Sequence, residues 1–183
     1  AEQQTLSVSD DTKALPEISS EECEQLGDGL LNKGNLYLAY VQFEKSLKLK
    51  PDNIRVEYKK GLALLLGEKN DDAIRQFEIV LKREPKFNLA NEGLGRAYFQ
   101  KKDFLLAERH FKKAIDQNHK LWMSYNFLGN IYDNKQDYEK AILEYTSAIA
   151  LKPDQGFLYN NLGVSCLLAG HHQAAIDASG KPV

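Results

Sequence analysis

The sequence repeats itself with a step of 34 residues, and this period restricts the chain to a few repeat architectures. A column of glycines is accompanied by a column of alanines and a column of aromatic residues. With 12 glycines in 183 residues, the chance that four more fall in register with the first is on the order of 10⁻⁵. The three columns contain Gly27, Gly61, Gly95, Gly129 and Gly163; Ala39, Ala73, Ala107, Ala141 and Ala175; and Phe43, Phe77, Phe111 and Tyr145.

Each 34-residue window has the pattern of two helices. Apolar residues recur at helical spacing in the first half, for example Tyr125, Leu128 and Tyr132, so they share one face. Proline closes three windows, where it ends the second helix because it lacks a backbone donor. We therefore predict an all-α fold of antiparallel helix pairs. Aspartates that can cap the second helix stand at Asp71, Asp103 and Asp137.

These columns resemble the signature of the tetratricopeptide repeat (TPR), and the fourth window has the expected residue or an aromatic equivalent at every column. The resemblance implies a right-handed superhelix, an α-solenoid in which stacked hairpins form one concave and one convex face. It predicts repeats over residues 20–53, 54–87, 88–121 and 122–155, with a partial fifth over 156–179. The matching residues of the fourth window are Tyr125, Leu128, Gly129, Tyr132, Ala141, Tyr145, Ala148 and Pro153.

The two ends of the chain depart from the repeat. Residues 1–19 are polar and acidic, with too few apolar side chains to offset the entropy of ordering, and are interpreted as a flexible leader. Alternatively, Leu15 or Ile18 packs against the first helix. The fifth repeat has Ser179 in the aromatic column, and 180–183 follow as a tail or truncation point. A solenoid normally ends in a polar capping helix, so we expect the chain to continue, or a partner or second copy to cover this end.

Composition and charge argue against nucleic-acid binding and membrane insertion. The formal net charge is -2, and the lysines mostly occur among carboxylates instead of clustering as a phosphate-binding surface requires. The longest apolar run, Leu36 to Val41, is far shorter than the roughly 18 residues of a membrane span. We therefore predict no nucleic-acid partner and no direct membrane insertion of the visible chain.

Motifs that suggest chemistry have simpler interpretations as parts of the repeat. The segment 61–67 has the wrong glycine spacing for a phosphate-binding loop and is typical of a helix. Cys23 and Cys166 lie four repeats apart, beyond disulfide reach, and are expected to be buried free thiols. His171 and His172 are expected to be exposed in a turn, where adjacent side chains diverge. We predict no enzyme activity, no cofactor and no metal.

The resemblance to TPR proteins also implies a binding site. In such proteins, positions 2, 5, 9, 12 and 13 of each first helix line the concave groove, where amides bond an extended backbone and apolar surfaces hold side chains. The alternative is that Leu62, Leu65 and Leu66 contact neighbouring helices and that the asparagines are merely solvated. A carboxylate clamp for chaperone C termini is absent, because the acidic Glu24 and Asp28 stand at its first positions. The predicted groove residues are Arg55, Tyr58, Leu62, Leu66, Arg96, Phe99, Asn126, Asn130 and Asn160.

The favoured function is a non-enzymatic scaffold or adaptor that binds a segment of a partner protein in this groove. The alternatives are a self-associating oligomeric scaffold, joined through the uncapped fifth repeat, and a regulatory arm of a larger enzyme. Residues 160–163 with 169–170 resemble bacterial repeat proteins of secretion or pilus assembly. Together with the acidic leader, this resemblance favours a periplasmic or outer-membrane-tethered protein over a cytoplasmic one.

Overall fold

The structure, a computed structural model, describes residues 16–180, and within them the chain forms ten α-helices and no strand. Helices of 13 and 14 residues alternate up to α9, whereas α10 has eight residues. The predicted all-α fold with a 34-residue period is confirmed. The helices are α1 (Ser20–Asn32), α2 (Leu36–Leu49), α3 (Ile54–Leu66), α4 (Asn70–Arg83), α5 (Asn88–Gln100), α6 (Phe104–Gln117), α7 (Trp122–Asn134), α8 (Tyr138–Leu151), α9 (Gly156–Leu168) and α10 (His172–Ser179).

Side chains cap several helices at their N-termini. α1 begins with a capping box, in which Glu22 N donates to Ser19 Oγ at 3.1 Å and Ser19 N donates to Glu22 Oε2 at 2.8 Å. Asp103 and Asp137 cap α6 and α8 by accepting from backbone amides three residues later. Asp71 lies in the first turn of α4 but pairs with a lysine of the next repeat. The predicted caps are therefore correct in two of the three repeats.

The core is a column of aromatic rings pressed onto glycines. In each of the first four repeats, the glycine of the first helix faces the aromatic ring of the second helix, and the ring is buried. A Cβ added at these glycines would lie only 2.4–2.7 Å from a ring atom. The two helices can therefore approach this closely only because the column residue has no side chain. The pairs are Gly27 with Phe43, Gly61 with Phe77, Gly95 with Phe111, and Gly129 with Tyr145.

Successive hairpins stack because each second helix also packs against the first helix of the next repeat. α2 packs on α3, α4 on α5, α6 on α7 and α8 on α9. The apolar face of each hairpin is therefore covered by its neighbour, which gives the layered solenoid that the repeat pattern predicts. None of the ten helices in the described part of the chain is both long and apolar enough to cross a bilayer.

Parts of the predicted leader and tail fall outside the described residues, namely 1–15 and 181–183. Residues 16–19 have no regular structure, and Ile18 is 54% exposed, so it does not bury itself against the first helix. At the other end, no aromatic ring covers Gly163. The nearest side-chain atom to a Cβ built there is Ser179 Oγ, at 3.4 Å.

Candidate functional site

The first helices of the repeats form the inner layer of the stack. Among residues 16–180, α5 contacts both α3 and α7 directly, whereas no two second helices make comparable contact. Helices that approach one another along a solenoid lie on the side toward which it curves, so α1, α3, α5, α7 and α9 form the concave face. The predicted groove residues all lie on four of these helices, α3, α5, α7 and α9.

A cluster of ion pairs joins the first two repeats on this face. Arg55 Nε and Nη2 donate to the Glu24 carboxylate at 2.7 and 2.8 Å. Lys59 Nζ donates to Glu24 at 2.8 Å and to Asp28 at 2.7 Å. Glu24 is buried, whereas the Arg55 side chain is 62% exposed. The basic second repeat therefore neutralises the acidic first repeat, and Arg55 reaches the groove with its charge already paired.

Glu24 carries a perturbed carboxyl group. Hydrogen bonds from Arg55 lower the pKa of Glu24 from the usual 4.5 to about 2. Burial of the carboxyl group opposes this effect and raises the pKa, whereas the hydrogen bond from Lys59 lowers it further. Because the folded-state pKa lies below the unfolded-state pKa, the stabilisation is present above about pH 4.5 and is lost as the pH falls toward 2. The junction of the first two repeats is therefore sensitive to acid.

We expect Glu24→Gln to lower the free energy of unfolding by about 2 kcal/mol at pH 7 and by about 1 kcal/mol at pH 3, because at pH 3 the Glu24 carboxyl of the unfolded wild-type chain is protonated, and this proton uptake favours unfolding of the wild type. Urea denaturation of both proteins at the two pH values measures the difference. Glu78→Gln, at an exposed position of α4, is the matched control and should change stability little at either pH. A difference for Glu24→Gln that is the same at pH 7 and pH 3 would contradict this assignment.

The second repeat contributes an apolar surface that is only partly exposed. Tyr58 packs against two phenylalanine rings with centroids 5.9 and 5.3 Å away, and burial raises the pKa of Tyr58 to about 12. Leu62 packs partly against the same core. Leu65 is fully buried, as the alternative interpretation expects, while Leu66 is 41% exposed. The apolar surface open to a ligand here consists mainly of Leu66.

The third repeat contributes an arginine set against aromatic rings. The Phe99 ring packs edge-on against Phe104 and Phe127, with centroids 5.4 and 5.1 Å away. Arg96 Cζ lies 5.9 Å from the centroid of the Phe127 ring, within the range of cation–π attraction. Arg96 Nε is buried and has no hydrogen-bond partner. The guanidinium therefore has an aromatic neighbour but no acceptor for its Nε–H.

Two of the three predicted groove amides take part in contacts within the stack. Asn126 is buried and accepts from an amide of the fifth repeat at 3.1 Å. Asn130 Oδ1 accepts from the Tyr145 hydroxyl at 2.6 Å. Asn160 is exposed. Of the three, Asn160 has the amide that is most accessible to a bound peptide.

Sequence reasoning missed a set of polar links between successive repeats. Ser165 Oγ donates to Asp133 Oδ1 at 2.7 Å, and Ser124 Oγ donates to Glu92 Oε2 at 2.6 Å. Both serines are buried, and each lies 32 residues after its carboxylate. These links could have been found in the sequence as a carboxylate on the first helix of one repeat and a serine 32 residues later, on the first helix of the next repeat.

Residues 16–180 contain no group of three or more His, Cys, Asp and Glu side chains that could hold a metal ion. Cys23 and Cys166 are free and buried, as predicted. His171 is exposed at the start of α10, and its Nε2 lies 2.6 Å from Glu139 Oε1 on α8. The carboxylate near this histidine comes from the preceding repeat, which sequence order alone did not reveal.

Comparison with family models identifies the repeat. Two models, each described as a tetratricopeptide repeat, match residues 58–120 and 124–155. These ranges lie within the second, third and fourth repeats, each of which has its glycine and its aromatic residue in the columns. The chain belongs to the tetratricopeptide repeat superfamily. The resemblance to the tetratricopeptide repeat stated from the sequence is confirmed.

The curated relatives of this TPR chain are much longer proteins. Tetratricopeptide repeat protein 37 of Xenopus laevis is 28% identical over 167 residues, which cover 90% of this chain and 9% of that protein. The human Superkiller complex protein 3 is 23% identical over 143 residues, covering 78% and 8%. The peroxisomal targeting signal receptor of Saccharomyces cerevisiae is 24% identical over 190 residues, covering 80% and 31%. The chain therefore spans less than a third of the length of each of these relatives.

Solved structures with the same architecture are TPR solenoids. The crystal structure of MamA is 26% identical, with a TM-score of 0.71, and the match covers 84% of this chain and 90% of that chain. A thermophilic TPR protein in Thermus thermophilus is 21% identical, with a TM-score of 0.74, and the match covers 87% and 88%. At 21% identity the second likeness shows the fold alone. Both agree with the predicted α-solenoid.

The fifth TPR ends in an apolar surface. Val164, Leu167 and Ile176 are exposed on α9 and α10, and they line a depression of about 630 Å³ beside Gly163 and Ser179. In the first four repeats the next first helix packs against the corresponding second helix. Self-association through this end stays a prediction.

Proposed function

We propose that this TPR chain is a non-enzymatic scaffold that holds a segment of a partner protein in its concave groove. The observation that carries the proposal is which positions of the first helices have exposed apolar side chains, since the second helices expose apolar side chains as well. Seven large apolar side chains on α1, α3, α5, α7 and α9 are exposed, and six of them stand at helix positions 2, 9, 12 or 13. Exposed apolar surface at the positions that face the groove favours binding. The six are Leu66, Leu89, Phe157, Val164, Leu167 and Leu168, and the seventh is Leu26.

Membership of the TPR superfamily supports a protein–protein interaction scaffold. One relative is named the peroxisomal targeting signal receptor, so its partner carries a signal that it receives. By analogy, we propose that this chain receives a segment of another protein. An extended segment offers backbone groups for an exposed amide such as Asn160, and side chains for the leucine and phenylalanine surfaces.

The biological setting stays a prediction. A role in bacterial secretion or pilus assembly, with a periplasmic or outer-membrane-tethered location, rests on the sequence of the fifth repeat at residues 160–163 and 169–170 and on the acidic leader. The alternative is that the chain is one arm of a larger protein, and it is supported by the relatives, in which the matched repeats make up less than a tenth of the length. The groove proposal is independent of either setting, because it rests on the surface of the repeats.

Selection of binding peptides from a random displayed library tests the groove. We expect the peptides selected on the wild-type chain to lose about tenfold or more in affinity for a triple variant with Leu66→Ser, Leu89→Ser and Phe157→Ser. These side chains are 41%, 37% and 41% exposed, so their replacement removes groove surface with little loss of core. Affinity is measured by fluorescence polarisation with labelled synthetic peptides.

The outer face supplies the matched control. Ile79, Leu105 and Leu143 are exposed on second helices, and their replacement by serine removes a similar apolar area outside the groove. We expect this second triple variant to bind the selected peptides with unchanged affinity. Equal loss in both variants, or loss in the outer variant alone, would move the site away from the groove, and circular dichroism checks that both variants keep their helices.

A further inference from the structure

Arg96 is the ninth residue of α5, in the central repeat of the concave face. Its side chain is half-buried, with Cζ 5.9 Å from the centroid of the Phe127 ring and Nε enclosed without a hydrogen-bond partner. The guanidinium is near enough to Tyr58 that its charge lowers the pKa of that hydroxyl, while Glu92 raises it. Arg96 therefore lies among the side chains that form the middle of the groove.

The other charged side chains at the groove positions of α1, α3, α5, α7 and α9 have polar partners. Arg55 is paired with Glu24, and Asp28 with Lys59. The remaining carboxylates at these positions each have a lysine or a hydroxyl group as a hydrogen-bond donor. Among residues 16–180, Arg96 is the one charged residue at these positions with neither an ion pair nor a hydrogen bond from its side chain. The satisfied carboxylates are Glu21 with Lys50, Glu92 with Ser124, and Asp133 with Tyr145 and Ser165.

A half-buried cation without an acceptor is costly for a folded protein. Buried polar groups normally find a hydrogen-bond partner, and charges out of water need one most. The aromatic face of Phe127 offsets only part of the loss of hydration. Only Nε is enclosed, so an anion in the groove can reach the guanidinium at its Nη atoms, where it lowers this cost. The arrangement therefore favours a ligand with negative charge.

The shape and charge of the surroundings favour a carboxylate. A guanidinium presents donors in a planar fork that matches the two oxygens of a carboxylate. Glu92 lies one helical turn before Arg96 and places a negative charge on the same face. A phosphate dianion would meet stronger repulsion from Glu92 than a singly charged carboxylate would.

We propose that Arg96 receives a carboxylate of the segment bound in the groove, with apolar side chains of that segment on Leu66 and Leu89. The inference rests on the proposed function, because it requires a partner segment in the concave face. It adds a specificity that TPR membership does not supply, since Arg96 lies outside the positions of the chaperone carboxylate clamp. The carboxylate comes from an Asp or Glu side chain or from the C terminus of the segment.

Two random peptide libraries test the proposal and separate these sources. In one library the peptides have free C termini, and in the other the C termini are fused to a carrier protein. We expect peptides selected on the wild-type chain to share one acidic position, or to come only from the library with free C termini. Their affinity should fall about tenfold to a hundredfold for Arg96→Gln, as expected for a charge-assisted hydrogen bond. The Asp→Asn, Glu→Gln or C-terminally amidated forms of the same peptides should bind both proteins alike.

Arg109→Gln is the matched control, because Arg109 is an exposed arginine on the outer helix α6. We expect the Arg109→Gln variant to bind the peptides with the same affinity as the wild-type chain. Peptides that need the Leu66, Leu89 and Phe157 surface but bind Arg96→Gln as tightly as wild type would overturn the carboxylate site and leave the groove proposal standing. Peptides that bind the groove triple variant unchanged would overturn the proposed function itself, and the carboxylate site with it.

A second measurement on the free chain checks the premise that Arg96 lacks an acceptor. Arg96→Met keeps a long aliphatic side chain beside Phe127 and removes the unpaired charge. We expect its urea midpoint to equal or exceed that of wild type. A clearly lower midpoint would show that the guanidinium stabilises the free chain through a partner of its own, and would contradict the proposal.

Discussion

Phe77→Ala is expected to lower the free energy of unfolding by about 4 kcal/mol. Phe77 is fully buried, and its ring lies between Gly61 of its own repeat and Gly93 of the next. Loss of the ring leaves a cavity between two layers of helices whose glycines have no side chains with which to fill it. Urea denaturation followed by circular dichroism measures the change.

The same variant tests how the repeats cooperate. Phe77 contacts both the second and the third repeat, so its loss weakens an interface as well as a hairpin, and the two ends of the stack should begin to unfold separately. We therefore expect a smaller denaturant slope together with the lower stability. Ile79→Ala, at an exposed position of the same helix, is the control and should cost less than about 1 kcal/mol. An unchanged slope for Phe77→Ala would show that the ring stabilises only its own hairpin.

The sequence predicted the helices and the glycine–aromatic column because both depend on contacts that recur every 34 residues. A contact of this kind leaves the same residue type in each window, as Gly61 and Gly95 do. The contact of Gly93 with Phe77 was not predicted, because it occurs in only one repeat and Gly93 belongs to no column. Periodicity therefore predicts what the repeats share and misses what one interface has alone.

The sequence predicted that the candidate groove residues lie on the first helices, but not which of their side chains are already engaged by others of the stack. The family pattern indicated which helix positions face the groove, yet Asn126 and Asn130 are engaged by side chains of the stack. Arg55 and Arg96 appear equivalent in the sequence, because both are arginines at groove positions. Only the structure distinguishes them, since the partner of Arg55 is Glu24 on the preceding first helix, and no such carboxylate pairs with Arg96 among residues 16–180.

Gly93→Ala is the second substitution for which we expect a large effect, a loss of about 2–3 kcal/mol. The added Cβ would lie 2.5 Å from Phe77 Cζ, and the ring has little room to retreat because Gly61 bounds its other side. The loss should appear even though alanine is the better helix former by about 1 kcal/mol. Gly29→Ala is the matched control, because a Cβ at Gly29 of α1 meets no atom within 4 Å, and it should raise stability by about 0.5–1 kcal/mol.

Combination with Phe77→Leu shows whether the ring is the cause of that loss. Leucine occupies less of the space that Phe77 fills between Gly61 and Gly93, so the new methyl group at residue 93 meets a smaller and more adjustable side chain. We expect the double variant to be more stable, by about 1 kcal/mol or more, than the sum of the two single losses predicts. Strict additivity would mean that Gly93 is required by the backbone of α5 and not by the ring. Coupling of the expected sign would instead show that one aromatic side chain sets the distance between α4 and α5, and so fixes the position of the groove side chains that α5 carries.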